Sequence, residues 1–313
     1  MQKAVIDYPN SDNLGDFIQS IAAAAFLDEN PVFLDRDQLH LGTSTPTQLI
    51  LNGWFMEQPH HWPPGPGIIP LFLSFHINPT AQKQMLSPEG IAYLQKHAPI
   101  GCRDHYTLQL LQKHQISAYF SGCLTLSLNR QGFPRPQQAP QEPYILLCSA
   151  LERLNPKNNP SASGLGGLLD RLKNLQRAVL FQRANKRLES FLEQAQHPVV
   201  RRSQIVSVEK HSKEERLALA EEQLQWIAHA KLVISSRIHT ALPAVAMGIP
   251  VLFLSDGLEH PNQQSRLEGL TQLFHSCKTS DLAEVNLEQL SPTTDHYPLV
   301  EEIRQKVVQF WGC

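Results

Sequence analysis

Arg237 and His239 stand one residue apart where a short apolar run gives way to an Ala-rich one. Lys231–Leu232–Val233–Ile234–Ser235–Ser236 reads as a buried strand ending in small hydroxyl residues. Gly248–Ile249–Pro250 stops the helix that follows, so this helix opens at about His239–Thr240. A helix N-terminus presents unpaired N–H groups and the positive end of its dipole. A guanidinium beside it, with the hydroxyls of Ser236 and Thr240 adjacent, makes a receptor for a phosphate or a carboxylate. Position alone leaves another reading open, in which Arg237 forms a structural ion pair and His239 is a satisfied core histidine.

The elements that must position this turn follow an α/β rhythm. Ala4–Asp7, Pro31–Leu34, Leu49–Asn52, Pro70–Ser74, Ile100–Cys102 and Ala118–Phe120 are short apolar runs expected to be strands, with helix-length segments such as Asp16–Leu27 between them. Beyond a Pro-rich stretch, strands are expected at Tyr144–Cys148, Ile205–Val208, Leu232–Ser235 and Val251–Leu254, and helices over Leu165–Gln196, Lys213–Ala230, Thr240–Met247 and Val300–Trp311. Strands that are apolar throughout and alternate with helices form parallel sheets covered on both faces. With 313 residues the chain exceeds what one core usually holds. It divides into a Rossmann-like domain at 1–130, a linker at 131–143 and a second Rossmann-like domain at 144–296, with a last helix at 297–313 free to pack back on the first. Two such sheets face a cleft, and open α/β sheets bind ligands at the carboxyl ends of their strands.

Composition narrows the partners. Lys and Arg number 27 against 29 Asp and Glu, a net charge of −2, so no global basic field points to nucleic acid. The five cysteines are scattered without a CxxC pair, and the 14 histidines include no HExxH, which argues against a disulfide framework and against a metal site. Met1–Asp7 lacks the apolar core of a signal peptide and no apolar run reaches transmembrane length, so a cytoplasmic location is expected. One local excess stands out: between Arg153 and Arg202 lie ten Lys or Arg and three Asp or Glu. Leu165, Leu168, Leu169, Leu172 and Leu175 share one face of the helix there, with Arg171, Lys173 and Arg177 elsewhere. The basic side suits an anionic glycan or lipid headgroups, and hence peripheral membrane association, or is simply a solvated face.

The run Val233–Ile234–Ser235–Ser236–Arg237–Ile238–His239–Thr240 through Met247–Gly248–Ile249–Pro250–Val251 resembles the C-terminal signature of the polysaccharide pyruvyltransferase family, with its Arg-x-His pair before a helix. Asn13–Leu14–Gly15–Asp16 resembles the family's Asn-x-Gly-Asp element, and Gly101–Cys102–Arg103–Asp104 its central Arg-Asp segment. Leu51–Asn52–Gly53–Trp54–Phe55 departs from the family's common Gly-Gly-Gly turn and is similar to a subgroup with Asn-Gly-Trp, which bears on the acceptor rather than the reaction.

The resemblance implies a GT-B-like fold and transfer of pyruvate from phosphoenolpyruvate, without a cofactor, to a glycan or lipid-linked saccharide as a ketal. Arg103 and Arg237 would clamp the two acidic ends of the donor, and His239 would act as general acid or as phosphate ligand. Asp16 would be a base or acceptor toward sugar hydroxyls, or merely an acid at a helix start; Asn13 and Gly15 would shape the same turn. Trp54 would offer a platform for a sugar ring, or fill the core, and Arg266 would approach the donor, or stand at the surface. Asp104 orients Arg103 or caps the next helix. A GT-B glycosyltransferase using a nucleotide sugar and a glycan or anion sensor without turnover are the alternatives.

Overall fold

The computed structural model describes residues 1–27, 31–54, 58–155 and 165–312, with backbone alone at 165–170 and 172. In its first half β1 (Gln2–Asp7), α1 (Leu14–Ala24), β2 (Val32–Asp35), β3 (Thr47–Trp54), β4 (Ile68–His76), α2 (Gln82–Met85), α3 (Pro88–Lys96), β5 (Ile100–Cys102), α4 (His105–Lys113) and β6 (Ala118–Phe120) follow one another. The second half contains β7 (Ile145–Cys148), α5 (Leu165–Leu192), β8 (Val199–Arg202), α6 (Lys213–His229), β9 (Leu232–Ser235), α7 (Ile238–Ala246), β10 (Val251–Leu254), α8 (Pro261–Gln264) and β11 (His275–Cys277), before α9 (Tyr297–Trp311).

The first sheet has the order β2-β1-β3-β4-β5-β6 and the second β11-β10-β9-β7-β8. Every pairing within them is parallel. The α/β class with two parallel sheets is therefore as expected. Both sheets wind alike. In the first the winding reverses between β1 and β3, in the second between β7 and β9, and a reversal opens a crevice at the carboxyl edge.

Three apolar layers hold the sheets. The outer face of the first packs Ile6, Leu49 and Phe72 against Leu94 of α3 and Leu111 of α4. That of the second packs Leu147 and Ile234 against Leu188 and Phe191 of α5. Their inner faces share a single cluster. Val5, Ile50 and Leu73 of the first sheet and Leu146, Val233 and Phe253 of the second enclose Ile18 of α1, Leu224 and Ile227 of α6 and Leu242 of α7. Ile303, Val307 and Trp311 of α9 join it, and α9 lies against the 3₁₀ turn Leu124–Ser127 and β4. The Pro-rich connection is itself docked: Phe133 and Ala139 pack on the shared cluster, and the Phe133 carbonyl meets His229 Nε2 at 2.9 Å.

Two expectations are corrected. The strand sought at Ile205–Val208 is Val199–Arg202; Ile205 instead forms an isolated antiparallel bridge with Asn13. The apolar alternation at 205–208 misled because the true strand carries Arg201 and Arg202, whose heads reach Glu189 and Gln223. His275–Cys277 went unrecognised as an edge strand because its first two residues are exposed and it has no apolar pattern.

One buried cluster joining both sheets makes the halves unfold together. Ile18→Ala, at a fully buried site in that cluster, should cost about 2–5 kcal/mol and shift a single transition. Circular dichroism and tryptophan fluorescence during urea denaturation will check this; two separated transitions would contradict the shared core.

Candidate functional site

The carboxyl edges of the two sheets meet where α1 begins. Leu14 N–H donates to the Gln204 carbonyl at 2.8 Å, and Val206 N–H to that of Asp12 at 2.8 Å. Gln204, 1% exposed, stitches the junction with its side chain as well: Nε2 donates to Asn13 Oδ1 at 2.7 Å, and Oε1 accepts from Thr240 Oγ1 at 2.5 Å. Gly15 is required at this contact. A Cβ there would stand 2.5 Å from Gln204 Nε2 and 2.9 Å from His239 Cβ, closer than side-chain atoms pack.

Two adjoining cavities open at this seam. The larger, about 530 Å³, is walled on the first-half side by Tyr8, Asn13, Asp16, Arg36 and Trp54, and on the second-half side by Arg153, Arg237 and Arg266. The smaller is lined by Ser236, His239, Gln263 and Leu267 and shares Asn13, Arg153, Arg237 and Arg266 with the larger. These residues follow the carboxyl ends of β1, β2, β3, β7, β9 and β10, where the switch points predict a ligand.

Each side chain is held by local structure. α1 starts at Asn13, whose Oδ1 accepts from Gly15 N at 3.1 Å, and its first turn carries Asp16, 3% exposed. Asp16 Oδ2 accepts from Ser11 Oγ at 2.6 Å and Oδ1 from Gln19 Nε2 at 3.4 Å. The pairing of β3 with β4 shifts register between Leu51 and Gly53, and Gly53 takes φ +89°, with Tyr8 Oη only 2.6 Å from where a Cβ would sit. This bulge delivers Trp54, whose ring has the Arg36 guanidinium 5.6 Å and the Arg266 guanidinium 5.2 Å from its centre. Phe55, beside it, lies outside the described residues.

The Arg237–His239 turn behaves as its sequence suggests in part. α7 begins at Ile238 with Arg237 as its N-cap, and no side chain caps it. Arg237 Nη2 donates to Glu152 Oε2 at 2.9 Å, so an ion pair does exist, while its Nε has no partner among the described residues. Ser236 Oγ donates to the Ser149 carbonyl at 2.8 Å and Thr240 to Gln204, so both hydroxyls brace the turn. His239 is 1% exposed, and neither ring nitrogen has a partner among the described residues.

Arg103 is fully buried, and none of its three guanidinium nitrogens has a hydrogen-bond partner among the described residues. Asp104, expected to orient Arg103 or cap α4, is that helix's N-cap: Oδ1 accepts from Thr107 N at 2.9 Å, and Oδ2 lies 3.7 Å from Arg103 Nε. It also meets His76 Nδ1 at 2.5 Å, leaving His76 Nε2 without a partner.

The electrostatics follow from charge gathered away from water. Burial, then the charges of Arg103 and Arg266, hold the His239 imidazole well below its usual value, so the ring is neutral. Burial takes His76 down to about 4, with Asp104 opposing only in part. Burial alone would raise Asp104, but His76 and Arg103 hold it below the usual carboxylate range. Arg153 falls to about 9 through burial and the repulsion of Arg237 and Arg266, and Arg266 to about 10 through burial and the repulsion of Arg103. Like charges that depress one another this way are relieved by an anion placed among them.

Of the residues singled out from sequence, Asn13, Asp16, Trp54, Ser236, Arg237, His239 and Arg266 stand in the cavity walls. Arg103 is outside both linings but acts on His239 and Arg266, and Gly15 and Thr240 build the frame behind. Sequence reasoning missed Tyr8, Arg36, His76, Arg153 and Gln204. His76 had a signal, a polar residue closing the apolar run Phe72–Phe75; Gln204 had none, since its role depends on a contact between the halves. Among the described residues no group of three or more His, Cys, Asp or Glu is placed to hold a metal ion.

The polysaccharide pyruvyl transferase family model matches residues 13–257, and the chain belongs to that family. No curated protein matches it significantly.

Two neutral buried imidazoles set the acid response. For His76 the folded value, about 4, lies below the ordinary 6.5, so the unfolded chain takes the proton first. Stability should thus be intact above pH 6.5 and fall as the pH drops toward 4, and His239 adds to the same slope. Replacing either with Gln should remove up to about 1.4 kcal/mol per pH unit of that slope. Urea titrations at several pH values will measure it, and an unchanged slope in both variants would contradict the assignment.

Proposed function

We propose that this member of the polysaccharide pyruvyl transferase family moves the pyruvyl unit of phosphoenolpyruvate onto two hydroxyls of a sugar in a cell-surface or exopolysaccharide precursor, forming a cyclic ketal. The reading is carried by one observation: nitrogens of Arg103, Arg153, Arg237, Arg266 and His239 that have no partner among the described residues gather around one junction of the two sheets. Phosphoenolpyruvate bears a phosphate and a carboxylate on one carbon. In water both are heavily hydrated, and fixed guanidinium donors with a helix N-terminus are what can replace that shell.

In the reaction proposed, a proton adds to the methylene carbon of the enol, making it a methyl group and leaving the adjacent carbon electron-poor. A sugar hydroxyl adds there and gives up its proton. The carbon–oxygen bond to phosphate then breaks, a second hydroxyl of the same sugar takes its place, and its proton leaves with inorganic phosphate. His239 is neutral in the free protein, and a bound trianion opposes the Arg103 and Arg266 charges that keep it so. Donor binding would therefore supply the protonated imidazole that the first step uses.

Asp16 faces the larger cavity with Ser11 and Gln19 fixing its carboxylate, and is suited to accept the proton of a sugar hydroxyl. The Trp54 ring, in the same wall, suits the apolar face of a sugar. Donor at the arginines and acceptor toward Trp54 and Asp16 is the division of the cavity that this chemistry asks for.

Phosphate release from phosphoenolpyruvate that requires a glycan acceptor is the expected activity. Arg237→Met and Arg266→Met, which remove guanidinium groups from the walls of both cavities, should each weaken donor binding by about 10–100-fold, the loss of a charged hydrogen bond. His239→Ala should lower kcat by about 10²–10⁴-fold with donor binding less affected. Release of nucleotide from a nucleotide sugar, with phosphoenolpyruvate untouched, would sink the proposal.

A further inference from the structure

Helix α5 is too long for the sheet it covers. Its 28 residues span about 42 Å, whereas β7 and β8, which it connects, have four residues each and span about 13 Å. Only its C-terminal part matches that length: Ala184, Leu188, Phe191 and Leu192 are buried in the outer core of the second sheet. Because β7 and β8 are parallel, the crossover starts α5 at the carboxyl edge and ends it at the amino edge. The excess length therefore lies beyond the carboxyl edge, where the cavities open. Contacts of α5 with the 3₁₀ turn Glu152–Leu154, which carries Arg153 of the cavity wall, agree with this course.

The exposed surface of α5 carries cations and large apolar side chains together. Arg171, Leu175, Val179, Arg183 and Arg187 follow at intervals of four, one ridge of the helix, and all five are exposed. Leu175 is 64%, Val179 46% and Leu180 53% exposed, an unusual exposure of large apolar side chains for one helix. Lys173, Arg177 and Lys186, also exposed, bring the cations on the described part of the helix to six. Against them α5 carries Asp170 and Glu189, and Glu189 is occupied by Arg201 at 2.6 Å. The whole chain has a net charge of −2, so outside this basic helix it is acidic. A solvated helix face does not need three large apolar side chains between its arginines, and a soluble polyanion has no use for them. A layer with anionic headgroups above an apolar interior matches both.

We propose that the exposed face of α5 docks this protein on an anionic lipid surface, with Leu175 and Val179 entering the headgroup boundary and Arg171, Arg183, Lys186 and Arg187 facing the phosphates. The docking edge adjoins the cavity mouth, so a saccharide carried on a lipid would be met at the surface where it resides. Lipid binding by this face stands apart from the transfer reaction, and failure of one leaves the other to its own test.

The test is co-sedimentation of the resting full-length protein, without donor or acceptor, with phosphatidylcholine vesicles with or without phosphatidylglycerol. Partition onto the phosphatidylglycerol vesicles should be at least about tenfold stronger and should fall as salt is raised. The triple variant Arg171→Glu, Arg183→Glu, Arg187→Glu should lose more than about a hundredfold. Leu175→Ser with Val179→Ser, which keeps every charge, should lose about tenfold while binding to dextran sulfate is unchanged. All these positions are exposed, and an unchanged Tm verifies folding. Equal partition onto both vesicles, full vesicle binding by the Ser variant, or binding to dextran sulfate with none to vesicles would overturn the proposal.

Discussion

Everything at the junction of the two sheets depends on positive charge brought together with too few partners. Arg103, Arg153, Arg237 and Arg266 come from four different loops, yet the charges of three of them depress the groups nearest to them. Glu152 pairs with Arg237, and Asp104 approaches Arg103, but among the described residues guanidinium nitrogens remain unpartnered on all four. Buried donors without acceptors are costly in a folded protein. A structure that keeps them is organised for a ligand that brings the acceptors, and a small polyanion brings them in the greatest number.

The fold meets that cost elsewhere. A single apolar cluster runs from the inner face of one sheet to that of the other, through α1, α6, α7 and α9. It fixes the two carboxyl edges against each other, so that Gly15 touches His239 and Gln204 joins Asn13 to Thr240. Rigidity here has a chemical purpose, since donors aimed in advance need no reorganisation when charge develops on a substrate.

Much of this was legible in the sequence. Strands that were apolar throughout announced parallel sheets, and Ile100–Cys102, Ala118–Phe120, Leu232–Ser235 and Val251–Leu254 have the bounds expected. Their ends could be placed because small, polar or Gly residues follow each one. The Arg-x-His turn was visible because hydroxyl residues close its strand and Gly248 closes its helix. What could not be read depends on long-range pairing. Gln204 and the bridge of Ile205 with Asn13 exist only because the halves touch, and Arg153 looked like one cation of a basic stretch. The leucine face expected over 165–172 lies outside the described side chains, while Leu175, counted with it, is exposed.

The most direct measurement is a crystal structure of the protein soaked with phosphoenolpyruvate. Donor density at the seam is predicted, its phosphate and carboxylate each within hydrogen-bond distance of a guanidinium, one of them Arg237, with the enol carbon facing His239. An empty seam at saturating donor, with Arg103 and Arg266 turned onto neighbouring protein groups, would contradict it.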